Sequence, residues 1–117
     1  MNREVSKKVY EYQAELCKAL AHPIRLEILD HLAEGELNST QLLELLQIPK
    51  ANLSQHLCVL KDAGIIEMRK EGLFQFSRLA SPQVKEACSL VRAMLLEKIG
   101  REEQQSRSIK SIIQENF

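Results

Sequence analysis

Residues 38–64 read NSTQLLELLQIPKANLSQHLCVLKDAG, and the reading of this stretch decides the fold. It predicts two short helices joined by a tight break. Leu42, Leu43, Leu45 and Leu46 give the first helix a wide apolar face. Leu53, Leu57 and Leu60 recur at i, i+4 and i+7, which marks one buried stripe on the second. Asn38 followed three residues later by Gln41 fits a capping box and sets the start of the first helix. Pro49 cannot continue that helix, yet its fixed φ suits the first turn of the next. Gly64 then supplies the left-handed position that ends the second helix.

Away from the leucine stripe, the second helix presents Lys50, Ala51, Asn52, Ser54, Gln55 and His56, with no acidic residue before Asp62. Asn and Gln can pair bidentately with adenine, Ser adapts to either partner, and Lys can meet guanine or phosphate. This is the composition of a helix that enters a DNA major groove by its N-terminal residues. An ordinary solvated helix face is the alternative, and the motif alone does not choose between them.

The surrounding chain narrows the choice. At 117 residues it is long enough for one domain with a real core, and short for an enzyme with a deep cleft. Lys plus Arg equals Asp plus Glu, so no overall basic field exists. Residues 50–78 nevertheless hold five basic groups against three acidic ones, a small local footprint instead of bulk electrostatic binding. There is no nucleophile–base pair, carboxylate dyad or phosphate-cradling glycine loop, and no enzymatic activity is expected. No apolar run reaches membrane-spanning length, and the opening MNREVSKK lacks the apolar core of a signal peptide. A cytoplasmic location without membrane partners is expected. Three widely separated cysteines make neither a disulfide framework nor a CxxC zinc pattern.

Residues 4–20 predict a helix, with Val9, Tyr12, Leu16, Ala19 and Leu20 on one face and Tyr10, Ala14, Cys17 and Ala21 beside it. That surface is broader than one packing contact needs. His22-Pro23 breaks the chain, and Ile24, Ile28, Leu29 and Leu32 carry a second helix to Gly35. Arg25 falls in its first turn, where a cation opposes the dipole, so a carboxylate or phosphate partner is expected. Past Gly64, residues 65–70 and 73–79 flank Glu71-Gly72 and read as a β-hairpin. A hairpin directly after such a helix is a wing, and Arg69 and Lys70 near its tip are expected to reach phosphate or a minor groove. Ser81-Pro82 opens a last helix with Val84, Cys88, Val91, Leu95 and Ile99 along one side. So much apolar surface on two terminal helices predicts a homodimer that packs through them. Residues 1–100 are expected to form the domain. Residues 101–117 are expected to be a polar tail, with a short extra helix around Ile109, Ile112, Ile113 and Phe117 or disorder as the two alternatives.

Three motifs in this order resemble the ArsR/SmtB family of small dimeric bacterial transcriptional repressors. Residues 20–29, LAHPIRLEIL, resemble the family's "LxxPxRLxIL" segment. Residues 53–66, LSQHLCVLKDAGII, resemble its "SxHLxxLxxAGLV" recognition helix. Residues 69–79, RKEGLFQFSRL, resemble its "RxGxxxxYxL" wing. The likeness spans residues 10–96 without a gap. It implies a mainly α fold with a small β-hairpin, a winged helix-turn-helix that dimerises through its first and last helices. It also implies a homodimer bound to double-stranded operator DNA and released by an inducer. The DNA-binding residues on this reading are Lys50, Asn52, Ser54, Gln55, His56, Arg69 and Lys70. A dimerisation or protein-interaction module of the same fold, without DNA binding, is the competing reading.

The family's known sensing sites are not matched. Where the soft-metal type carries "CxC", this chain has Asn38 and Thr40. Where the zinc type carries its four ligands, it has Ser81, Gln83, Met94 and Glu97, so no metal site or resident cofactor is expected. One of the two cysteine positions of the persulfide-sensing type reads Asp30. What remains are Cys17 and Cys88, on the two helices assigned to the dimer, and Cys58 on the recognition helix. These are the candidate thiol sensors for an oxidant, reactive sulfur, or a soft metal or metalloid; small buried packing residues are the alternative.

Overall fold

The computed structural model describes residues 2–116. Five helices and three short strands follow in the order α1 (Arg3–Leu20), α2 (Pro23–Leu32), β1 (Leu37–Asn38), α3 (Ser39–Leu46), α4 (Lys50–Asp62), β2 (Ile66–Glu71), β3 (Phe74–Leu79) and α5 (Pro82–Asn116). The chain divides into two compact units, Met1–Lys85 and Glu86–Phe117.

In the first unit the core forms where the leucine stripes meet. Ile28, Leu29 and Leu32 of α2, Leu42 and Leu46 of α3, and Leu53, Leu57 and Leu60 of α4 are all buried. Ile65 and Ile66 close this core from the wing side. The helix boundaries follow from capping chemistry. The Asn38 side chain accepts from the Gln41 amide at 2.8 Å, and the Gln41 side chain accepts from the Asn38 amide at 2.9 Å. Both halves of the capping box are therefore present. His22 caps α2 through Nδ1, which accepts from the Ile24 amide at 3.1 Å, with Pro23 in the first turn. Gln47 ends α3 in the left-handed region at φ 54°, a role the sequence did not announce.

The wing is larger by one strand than the hairpin expected. β3 is central in the order β1-β3-β2, with Leu37 opposite Ser77 and Asn38 opposite Phe76. β2 and β3 pair from Ile66–Leu79 to Glu71–Phe74, leaving Gly72 and Leu73 as the turn. Gly72 sits at φ 61°, which a side chain would strain and which a two-residue hairpin needs.

Phe117, named with the expected extra helix, lies outside the described residues, and α5 continues past residue 100, where the domain is expected to end. It runs through the glycine and the polar stretch beyond it, to Asn116. A lone glycine costs a helix only about 1 kcal/mol. Strong helix formers flank it, and Arg101–Glu97 at 3.4 Å and Lys98–Glu102 at 3.7 Å span it at i,i+4. Leu90, Val91, Met94, Leu95, Leu96, Ile99, Ile109, Ile112 and Ile113 of α5 are exposed. So are Val5, Val9, Tyr10, Tyr12 and Leu16 of α1, whose only buried residue is Ala19.

Candidate nucleic-acid interface

α4 divides cleanly into two sides. Leu53, Leu57 and Leu60 are at most 2% exposed and hold the helix to the core. Lys50, Ala51, Asn52, Ser54 and Gln55 are exposed. The first turn contains no acidic group, and Pro49 makes no side-chain cap there. Its leading amides are thus open to water or to a phosphate. Four of the five expected α4 residues, Lys50, Asn52, Ser54 and Gln55, lie on this exposed side.

His56 does not belong with them. Its ring packs against His22, with centroids 4.5 Å apart and planes tilted by 48°. Nδ1 of His56 is closed off without a hydrogen-bond partner. Burial, the neighbouring His22 and Arg25 all push its pKa below the ordinary histidine value, in that order of size. The half-buried His56 ring thus packs α4 against the start of α2, apart from the four residues of the exposed side. The residue sits between Gln55 and Leu57, at the border of the two faces, where periodicity does not decide direction.

Arg25 has no carboxylate partner among the described residues; its guanidinium donates to the Lys18 carbonyl at 3.4 Å. That carbonyl belongs to the last turn of α1, the negative end of the helix, so the cation is stabilised there despite its place at the start of α2.

In the wing, Arg69 is engaged. It donates to Glu36 and Glu71, each at 2.5 Å, and lies over the Phe76 ring at 4.5 Å. Arg78 donates to Glu67 at 2.6 Å, across the ladder. Two of the five basic groups counted between residues 50 and 78 are therefore neutralised locally. The cations left with no ion pair among the described residues are Lys50, Lys61 and Lys70. Of the expected wing contacts, Lys70 is exposed and available, whereas Arg69 is held. Leu73 at the tip is fully exposed.

None of the three cysteines is in a disulfide among the described residues; Cys17 and Cys58 are exposed and Cys88 is half-buried. Cys17 lies in the first compact unit and Cys88 in the second. The Cys58 thiol donates to Asp62 at 3.5 Å, one turn along α4. Among the described residues no group of three or more His, Cys, Asp or Glu is placed to hold a metal ion. No described helix is long and apolar enough to cross a membrane.

Residues 20–69 match the family model described as a helix-turn-helix domain. An uncharacterized HTH-type transcriptional regulator of Methanocaldococcus jannaschii is 42% identical over 83 residues, 70% of this chain and 93% of that protein. A biofilm growth-associated repressor of Xylella fastidiosa is 37% identical over 94 residues, 80% of each chain. Among solved structures, the homodimeric winged helix-turn-helix DNA-binding domain Mb0332 of Mycobacterium bovis is described as a possible ArsR-family transcriptional regulator. It superposes with a TM-score of 0.73 at 32% identity, covering 83% of this chain and 88% of that one.

Proposed function

Because this chain belongs to the ArsR-type family of winged helix-turn-helix transcriptional regulators, we propose that it represses transcription as a homodimer on a pseudo-palindromic operator. The observation that carries this reading is the two-sided α4: a leucine stripe locked in the core and an acid-free polar face left open. In this reading Asn52, Ser54 and Gln55 read base edges, while Lys50 and Lys70 meet phosphates. The exposed apolar residues of α1 and α5 bury against a second copy, a reading supported by the homodimeric state in the description of the Mb0332 domain. The competing interaction-module reading leaves the acid-free polar face of α4 without a use. Purified protein mixed with fragmented genomic DNA should recover fragments that share a pseudo-palindrome with half-sites about 34 Å apart. Recovery of fragments with no common motif would count against this function.

The inducer in this proposal acts through thiols. Support comes from the exposure of Cys17 and Cys58 and from the absence of any second sensing chemistry in the sequence motifs. Releasing DNA a hundredfold takes about 2.7 kcal/mol of difference between two states. A bond or ligand at Cys17 or Cys88, on the helices assigned to the dimer, or a modified Cys58 on α4, is of that order. Serine at all three positions should leave operator affinity unchanged and abolish release by oxidant, polysulfide or arsenite. Continued release from the triple variant would eliminate the thiol route.

A further inference from the structure

The outward face of the sheet carries a linked row of charges. Arg69 stands opposite Phe76, and Glu67 opposite Arg78. Side chains alternate along a strand, so Glu67, Arg69 and Glu71 of β2 share one face with Phe74, Phe76 and Arg78 of β3. Ser77, of opposite parity, is buried on the other face. Arg69 does not stay within its own hairpin. Its guanidinium crosses the central strand over the Phe76 ring and donates to Glu36, which lies in the turn between α2 and β1. Its second terminal nitrogen donates to Glu71.

We propose that Arg69 is a positioning residue for DNA binding: with Glu36 it straps the wing to the α2–β1 turn, and Lys70 supplies the wing's phosphate contact. The proposal rests on the regulator reading above. A planar guanidinium offers a rigid fork that matches two carboxylates, and here both terminal nitrogens are taken and the flat face is covered. Such a group is spent on orientation. β2 is an edge strand, held along one side only by β3. A tie from β2 across β3 to Glu36 limits how far the hairpin can swing about its own ladder. Lys70 has the opposite parity from Arg69 and lies one residue nearer the tip, exposed. It has no ion pair among the described residues.

The rival account makes Glu36 and Glu71 temporary counter-charges that DNA phosphate displaces, so that Arg69 itself contacts DNA. The two accounts differ in sign. With the strap, Glu36→Gln weakens operator binding about threefold, a size suited to a partly exposed pair, and leaves the salt slope unchanged. Arg69→Gln acts alike, the double variant is no worse than either single one, and Arg69→Lys does not rescue because a point charge cannot fill the fork. With displacement, Glu36→Gln tightens binding and steepens the slope, and Arg69→Lys retains most of the affinity. Amide hydrogen exchange in the free protein gives a reading that needs no DNA: residues 66–79 should exchange faster in Glu36→Gln and Arg69→Gln. Wing exchange at the wild-type rate, tighter binding by Glu36→Gln, or rescue by Arg69→Lys would each overturn the strap. Failure of the wild type to select any operator would instead count against the regulator reading, with the exchange experiment still judging the strap.

Discussion

The rings of His22 and His56 face each other at 4.5 Å, joining the cap of α2 to the middle of the recognition helix. His22 already accepts from the Ile24 amide through Nδ1, which fixes that nitrogen as unprotonated while it caps the helix. His56 is held below the ordinary histidine value by burial first, then by His22 and Arg25. The fold thus favours neutral His56. Its contribution to stability is complete above the unfolded value of about 6.5 and is lost as pH falls through the depressed folded value. Urea midpoints of the wild type should therefore drop as pH falls below about 6.5, and His56→Gln should flatten that drop. An unchanged slope in the variant would show that another group sets it.

The exposed side of α4 yields a prediction about discrimination. Asn52→Ala, Ser54→Ala and Gln55→Ala should each lower the ratio of operator to random-DNA affinity, by about 1–3 kcal/mol where the lost contact is bidentate. Lys50→Gln and Lys70→Gln should weaken both kinds of DNA alike and reduce the salt slope by about one each. Fluorescence anisotropy titrations at several salt concentrations read both quantities. A specificity ratio untouched by all three alanines would remove α4 as the reader.

Ser77 is fully buried in the central strand, and its hydroxyl has no partner among the described residues. A buried hydroxyl without a hydrogen bond costs about 1–3 kcal/mol. Ser77→Ala should consequently stabilise the protein by about 1 kcal/mol, seen as a higher urea midpoint at an unchanged m-value. A loss of stability would mean that a bound water satisfies the hydroxyl.

The exposed apolar residues of α5 make a prediction about concentration. If α1 and α5 are covered by a second copy, the thermal midpoint should rise with protein concentration. Leu95→Glu or Ile99→Glu should abolish that rise and give a monomer in sedimentation. A wild-type midpoint independent of concentration, with a monomer at micromolar protein, would leave those faces to some other partner.

The parts of this fold that were legible in the sequence are those set by short-range rules. Asn38 with Gln41, Pro23 after His22, and the Leu53, Leu57, Leu60 stripe each state their role within a few residues. β1 is two residues long and has no period to detect; it exists because β3 offers it an edge. The direction of His56 depends on His22, and the occupation of Arg69 depends on Glu36, 33 residues earlier. Neither pairing follows from periodicity. The stretch after Gly100 is polar and reads as a tail. In the helix that stretch supplies the charge pairs and helix formers that carry the backbone through.

Asn38 occupies two elements at once. Its side chain caps α3, while the residue pairs in register with Phe76 of the wing's central strand. The helix-turn-helix and the wing therefore share a fixed joint, and the gap between α4 and Lys70 behaves like the opening of a caliper set before DNA arrives. Little ordering remains to be done on docking, which favours affinity, but the jaws cannot adjust. One base pair inserted within a half-site, between the bases under α4 and the phosphate under the wing, should be tolerated worse than a substitution at either end.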